Sequence, residues 1–384
     1  MGNEVAIVGV GIHKFGRFGD KPFEEIGAES IRMALKDANM DWKDIQVGYA
    51  STASSSLPHN AGPRTTSQLG RTGIGVSDVQ AACASGGVAI KNGVHAIQSG
   101  RFDTCLVFGI EKAPRGFFDP SLSFLKWQIE TGLSTNPAYW AMSCVRHMHD
   151  YGTTEMHLAK VAYKNHKYSV YNPYAMYQKE FGLEEILNSR VVCWPVRLFE
   201  ICAPNEGAAA LILVPLEKAH KYTSKPITIA ASAHALAMYS ADLRAPVIQM
   251  SGRVNNENPT VVASKKAYEE AGLGPEDINA AEVQDTDAFM EITHYEELGF
   301  CPVGEAGRFI DERQNEIGGK TPVNLSGGLI SKGEPTGASH LGQVVDLCWQ
   351  LRGELGPRTV KGAKVTMAQV TGAMGHTAVT ILKK

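Results

Sequence analysis

The stretch "VQAACASGGVAIKNGVHAI" (79–97) reads as a strand ending near Ala81, a corner at Cys83 and a helix beginning around Ser85. The longer text "SDVQAACASGGVAIKNGVHAIQSGRFDTCLVFGIEK" (77–112) continues through that helix into a loop and a buried strand. Small residues on both sides of Cys83 let backbone and substrate approach closely. A helix N-terminus offers free N–H groups and a positive dipole end, which are expected to lower the thiol's pKa. This is the logic of a nucleophile elbow, with Cys in place of Ser. Cys83 is therefore the candidate nucleophile. Cys105, Cys193, Cys202, Cys301 and Cys348 read as small buried hydrophobes.

Working outward, the chain shows an internal repeat. "VAIVGVGI" (5–12) opens one copy and "ITIAASAHA" (227–235) the other. "ALKDANMDWKDI" (34–45) matches "AYEEAGLGPEDI" (267–278): a helix end, an Asn or Gly cap, and a short link to a strand. The copies end alike, in "GAAALILV" (207–214) and "HTAVTILK" (376–383). The second pair of matches lies closer together than the first, so the first copy carries an insertion. Its expected place is 115–192, rich in aromatics and histidine. The expected division is 1–114 with 193–222 as an N-terminal half, 115–192 as an inserted loop domain, and 223–384 as a C-terminal half. Alternating strand and helix patterns in each half predict layered α/β architecture.

Composition sets outer bounds. The 384 residues carry a formal net charge of -3, which gives no electrostatic reason to expect nucleic acid or an anionic membrane as partner. The first residues read as a β-strand rather than a signal peptide, and no run of about 18 apolar residues exists. The seven cysteines form no C-x-x-C pair, which argues against a disulfide framework and a metal site in this chain and favours a reducing cytoplasm. Glycines at 9, 11 and 16 in "GVGIHKFG" miss the dinucleotide fingerprint.

"AACASGG" (81–87), "EGAAALIL" (206–213), "NLSGGLISKGEPTGAS" (324–339) and the two-copy plan together resemble the thiolase superfamily. "VAIVGVGIHKFGR" and "SRVVCWPVRLFEICAPNEGAAA" resemble its sterol-carrier-protein-type and archaeal branch. The resemblance covers essentially the whole chain. It implies a five-layered αβαβα thiolase fold with a loop domain that helps hold coenzyme A. It implies a homodimer, and a heterotetramer with a small OB-fold zinc-ribbon partner. It also implies thioester chemistry, in which the cysteine attacks the keto carbon of a 3-oxoacyl-CoA and free CoA then takes the acyl group. Within the branch, the nearest implied substrate is 2-benzoylsuccinyl-CoA.

The sequence also departs from that pattern. Where thiolases commonly carry G-H-P, this chain has Gly333-Glu334-Pro335, and a carboxylate near its ordinary pKa is a poor base toward a thiol unless burial raises it. The family's second acid–base residue falls at Val370, which cannot transfer protons. The H-D-C-F motif is altered to "QDTDAF" (284–289). His340 and His376 stand where relatives usually have glycine, and imidazole suits both proton jobs near neutral pH. The expectation is that His340 and His376 supply the lost function, with Glu334 orienting one of them or holding a water. A helix-face role for His340 and a turn role for His376 remain open. Backbone N–H groups of Cys83 and of the 372–375 turn, including Gly375, are the expected oxyanion donors. A side chain from 285–287 (Asp285 or Asp287) holds a water, and Asn324 supports the loop.

On the substrate side, Phe117, Phe118, Phe124, Trp127, Tyr139 and Trp140 suit a phenyl-bearing acyl group, and equally core packing or an interface. Trp140, Arg146, His147 and Phe289 are the candidate substrate or CoA contacts. Lys164 and Lys167 are further cations for CoA phosphates, or a solvated helical face.

Overall fold

The computed structural model describes residues 4–53, 57–116, 126–236 and 258–384. In chain order the first part runs β1 (Val5–Gly16), α1 (Phe23–Asp37), β2 (Val47–Ser51), α2 (Ala61–Ser67), β3 (Gly75–Val79), α3 (Ser85–Gln98) and β4 (Cys105–Lys112). Next come α4 (Lys126–Glu130), α5 (Asn136–Tyr151), α6 (Glu155–Ser169), α7 (Leu183–Leu187), β5 (Val191–Cys193), β6 (Val196–Arg197) and β7 (Glu206–Pro215). The rest comprises β8 (Ile227–Ala235), α8 (Pro259–Ala271), β9 (Ala280–Glu282), α9 (Ala288–Glu297), α10 (Ala306–Asp311), α11 (Gly328–Ser331), α12 (Ser339–Arg352), β10 (Val365–Thr371) and β11 (Thr377–Lys383).

Among the described residues nine strands form one sheet in the order β3-β2-β4-β7-β1-β8-β11-β10-β9. It is two copies of one pattern joined edge to edge. In the first, β2 runs parallel to β3 and β4, and β7 lies antiparallel between β4 and β1. In the second, β9 runs parallel to β10, and β11 lies antiparallel between β10 and β8. A parallel bridge from Ala281 to Val323 stands where the first copy has β3. The seam is short, with Val5, Ala6 and Ile7 facing Ile229, Thr228 and Ile227.

Five layers follow from which faces are apolar. The α1 helix packs on β1, β4 and β7; α3 and α12 pack on each other between the two half-sheets; α8 packs on β8 and β11. On α1 one stripe is buried, with Ile26, Ile31, Ala34 and Leu35, whereas α12 is buried at every residue but Trp349. The β7 strand "EGAAALILVP" is buried along its length, because helices cover both of its faces. Its small residues accommodate that double packing. Gly9 and Gly11 have the same cause: a Cβ at either would overlap the α1 backbone at Ala34 or Ser30. The glycines of "GVGI" thus serve helix–sheet contact.

The caps expected from the repeat are present. Asn39, just past α1, has φ 49°, and Gly272, at the end of α8, has φ 65°. Between β4 and β7 the chain adds α4–α7 and the β5–β6 hairpin, whereas only a short turn separates β10 from β11. Phe117, Phe118 and Phe124 lie outside the described residues.

Candidate active site

Cys83 sits between β3 and α3, where the chain turns sharply. Ala82 has φ 50°, a left-handed conformation that costs a residue with a Cβ about 1–2 kcal/mol. The turn is fastened by Ser85, whose Oγ accepts from Ala81 N (2.7 Å) and donates to Ala82 O (2.6 Å). The amides of Ala84 and Ser85 donate to the carbonyls of Ala81 and Ala82. The backbone is thereby held in a strained corner that aims the thiol, and a strained residue at such a corner is a mark of function.

The environment of that thiol corrects one expectation. Burial pushes the Cys83 pKa up rather than down, and the carboxylates of Glu334 and Glu111 push it further; only a backbone hydrogen bond acts the other way. A thiolate must therefore form by proton transfer to a nearby base at the moment of reaction, not stand ready.

Glu334 is one of the two carboxylates whose charge reaches that thiol. Its loop is stitched to the chain before β7: Glu334 N donates to Ala203 O (3.0 Å), and Asn205 N donates to Glu334 O (3.3 Å). Gly333, with φ 109°, lies so close to the Asn205 side chain that a Cβ would overlap it. The buried Glu334 carboxylate accepts from Cys202 Sγ (2.8 Å) on Oε2 and from Gln284 Nε2 (3.0 Å) on Oε1. Burial raises its pKa to about 7. The exception allowed from sequence, a carboxylate made basic by burial, is what the structure contains.

Sequence reasoning missed Cys202, Gln284 and Glu111. Cys202 read as a small hydrophobe, yet its thiol donates to the central carboxylate. Its amide donates to Thr286 O (2.9 Å), fixing it against the 284–289 segment. The available signal for Glu111 was a lone acid in the apolar strand "CLVFGIEK", where it is fully buried.

The 372–375 turn closes the other side. A Cβ on Gly372 would stand 2.8 Å from Cys83 N and 3.0 Å from Ala84 N, so this turn lies directly against the amides at the corner. Gly372 N donates to His376 O (2.7 Å), and Gly375 has φ 74°. His376 is half-buried and stacks on His234 of β8, with His376 Nδ1 and His234 Nε2 at 3.1 Å. Burial lowers both imidazole pKa values.

His340 lies in the first turn of α12 and is fully buried against Gly86 and Gly87 of α3. Its Nδ1 meets Gln343 Oε1 (3.0 Å) and its Nε2 meets Thr380 Oγ1 (3.1 Å). With both nitrogens engaged and burial lowering its pKa to about 4, it is a neutral packing element without a lone pair for a thiol.

The acidic pair of "QDTDAF" also holds the scaffold. Asp285 accepts from Leu329 N (2.6 Å), Ile330 N (3.3 Å) and Asn165 Nδ2 (2.9 Å); burial and then Glu291 raise its pKa well above the ordinary value. Asp287 caps α9 by accepting from Met290 N (2.9 Å), and burial brings its pKa to about 7. Asn324, at φ 55°, accepts from Val283 N (2.8 Å) and donates to Glu291 (2.8 Å), bracing the loop that carries Glu334.

Several candidate substrate contacts sit elsewhere. His147 is in the core, held by Thr153 (2.8 Å) and Glu296 (3.3 Å) and packed edge-on to the equally buried Phe289. Trp140 is buried against Met290. The buried Tyr139 donates to Leu133 O (2.9 Å), and the buried Lys164 pairs with Glu291 (2.7 Å). Each helix turned its apolar stripe inward and took these residues with it. Arg146 stays on the surface with Asp150 (2.8 Å), and Lys167 with Glu316 (3.4 Å); Trp127 is exposed. Among the described residues no three His, Cys, Asp or Glu side chains cluster as metal ligands, and no helix is long and apolar enough to cross a membrane.

Comparison with known proteins agrees with this architecture. The family "Thiolase, N-terminal domain" matches residues 5–183, and "Thiolase C-terminal domain-like" matches residues 245–384. The chain is 35% identical to an acetyl-CoA acetyltransferase of Methanothermobacter thermautotrophicus, over 98% of both chains. It is 36% identical to sterol carrier protein 2 of Oryctolagus cuniculus, over 99% of this chain and 72% of that protein. Among solved structures, the Ltp2-ChsH2(DUF35) aldolase superposes with TM-score 0.85 at 24% identity, over 100% of this chain and 98% of that one. A monomeric SCP2-thiolase like protein from Mycobacterium smegmatis superposes with TM-score 0.76 at 18% identity, over 99% and 77%. A strained cysteine corner faced by loops from both copies, on this fold and with these relatives, makes the chain a member of the thiolase superfamily, on its sterol-carrier-protein-2-type branch.

Proposed function

We propose that the protein is a CoA-dependent thiolase, an acyltransferase that cleaves a 3-oxoacyl-CoA through an acyl-Cys83 intermediate. The observation that carries this reading is the strained Cys83 corner, with the 372–375 turn closed directly against its amides. In this reading Glu334, whose pKa burial raises to about 7, takes the Cys83 proton and later returns it. The thiolate attacks the keto carbon, and the C–C bond to the leaving acyl-CoA breaks. The thiol of free CoA then accepts the acyl group. Amides at the Cys83 corner and in the 372–375 turn stabilise the oxyanions in this reading.

The substrate we propose is 2-benzoylsuccinyl-CoA, giving benzoyl-CoA and succinyl-CoA, as in anaerobic toluene breakdown. Its support is the sequence resemblance. The same reading includes a cytoplasmic homodimer, a small OB-fold zinc-ribbon partner in a heterotetramer, and the division at 114/115, 192/193 and 222/223. A partner of this kind is in keeping with the Ltp2-ChsH2(DUF35) aldolase, which joins an aldolase chain to a DUF35 protein.

The deciding experiment is mass spectrometry of the purified protein after mixing with benzoyl-CoA, succinyl-CoA or acetyl-CoA. The expected result is an acyl mass on Cys83 that free CoA removes and that Cys83→Ala abolishes. Cleavage of a 3-oxoacyl-CoA without any acyl mass would replace this reading with that of an aldolase on the same fold.

A further inference from the structure

Thiolytic cleavage needs two proton movements: one off the nucleophile and one onto the α-carbon that leaves. Val370 stands where the resemblance places the second acid–base group, and it has no proton to give. His340 is sealed in the core. The group with a transferable proton that lies within hydrogen-bonding distance of the central carboxyl is the thiol of Cys202, which donates to Glu334 Oε2 at 2.8 Å. Its position is fixed from two sides, by its own amide bond to Thr286 and by the bridge between the neighbouring Ile201 and Asp287. A charge on the Cys83 thiol disfavours a charge on that of Cys202. Glu334 therefore accepts from one thiol, on the chain leading into β7, and its charge acts on another, at the Cys83 corner.

We propose that Cys202 is a second catalytic thiol, which exchanges a proton with the α-carbon of the acyl-CoA while Glu334 passes protons between it and Cys83. The inference rests on the thiolase reading of the site. In the cleavage direction the Cys83 S–H bond breaks, and its proton forms an O–H bond on Glu334. The Cys83 sulfur forms a C–S bond to the keto carbon, and the C–C bond breaks with its electron pair left on the α-carbon. The Cys202 S–H bond then breaks and its proton forms the new C–H bond. Glu334 gives its proton to the Cys202 sulfur, and both thiol-side groups are reset. The proton that leaves Cys83 is thus balanced by the one gained at the α-carbon, with no outside donor. In the second half, the proton of the CoA thiol travels by Glu334 back to Cys83 as the acyl group departs.

The test separates the two proton steps. Exchange of α-hydrogens for deuterium is followed by NMR in deuterated buffer, with acetyl-CoA and succinyl-CoA as probes. Acylation of Cys83 by benzoyl-CoA, which requires no α-carbon chemistry, is followed by mass. For Cys202→Ala and Cys202→Ser in the full chain, exchange is expected to fall by about 10²-fold or more, with acylation within several-fold of the parent protein. Cys202→Ser retains a donor to Glu334 and so preserves the local packing if the alanine variant fails to fold. Exchange in Cys202→Ser within threefold of the parent would overturn the role of Cys202 and leave the thiolase reading intact. Equal losses of exchange and acylation would reduce Cys202 to a positioning residue for Glu334, which also overturns the proposal. Absence of exchange and of acyl-enzyme in the parent protein overturns the thiolase reading and this inference with it.

Discussion

At Glu334 a carboxyl group that ordinarily titrates at 4.5 is held near 7, and burial is the first cause. In the proposed mechanism its ionised form is the base, so Cys83 acylation is expected to rise with pH through about 7 and then level off. Glu334→Gln keeps the shape and the bond to Cys202 but cannot take a proton. That variant should lose the inflection and acylate about 10²–10⁴-fold more slowly, which stopped-flow acylation across pH 5.5–8.5 would measure. A profile unchanged in the variant would remove Glu334 from the chemistry. In the sequence Glu334 reads as a supporting group beside His340 and His376, with a raised pKa as the condition for a carboxylate base. The raised pKa itself was not legible, because burial causes it and Glu111, far away in the chain, adds to it, against the hydrogen bonds from Cys202 and Gln284 that lower it. Cys202 was passed over for the same reason: an isolated cysteine carries no sign of the carboxylate it will meet.

At the scale of elements, two close approaches fix the nucleophile. The first is the 372–375 turn against the Cys83 corner. Gly372 has φ −124°, which alanine adopts freely, so Gly372→Ala acts only through its new methyl group, 2.8 Å from Cys83 N. Displacing that donor is expected to cost about 3 kcal/mol in the transition state, or 10²–10³-fold in kcat, with the melting temperature little changed. The second is α12 against α3, where His340 fills the space above Gly86 and Gly87. His340→Ala leaves a cavity and strands Gln343 and Thr380. It is expected to lower the unfolding free energy by about 2–4 kcal/mol, measured in urea. The pH profile of Cys83 alkylation should be unchanged in the folded variant; a lost inflection would restore His340 as the thiol base. The start of α3 and the Asn and Gly caps were legible because local chemistry decides them. The inward turn of Trp140, His147 and Phe289 was not, since a helical stripe in sequence does not say which neighbour will cover it.

For the whole molecule, buried titratable groups set a pH window. Glu334 and Asp287 titrate near 7 and Glu200 near 8, all raised chiefly by burial. Their unfolded forms ionise first, so stability present at low pH is lost as pH rises toward 8. His166 and His340 are lowered to about 4, and their contribution is lost as pH falls from 6.5 toward 4. The two slopes oppose each other below 6.5 and only the carboxyl slope remains above it. The urea midpoint is therefore expected to fall between pH 6.5 and 8, and a flat or rising midpoint would contradict this assignment. At this scale the sequence was most readable, because two copies of one strand order leave two copies of one text. What it hid was the pairing of the copies, a seam only three residue pairs long.

That pairing has a consequence for where reactivity arises. The two copies give the molecule an approximate internal twofold, and α3 and α12 are its mates. Two residues before α3 lies Cys83; two residues before α12 lies Gly337. The Gly337 amide donates to the buried Glu111 carboxylate (3.3 Å), which also accepts from Thr336 Oγ1 (2.6 Å). One corner thus carries a thiol and its mate is plugged by a carboxyl group from the first copy. The fold offers two equivalent vertices for a nucleophile, and symmetry is broken so that a single reaction centre draws on both copies at once.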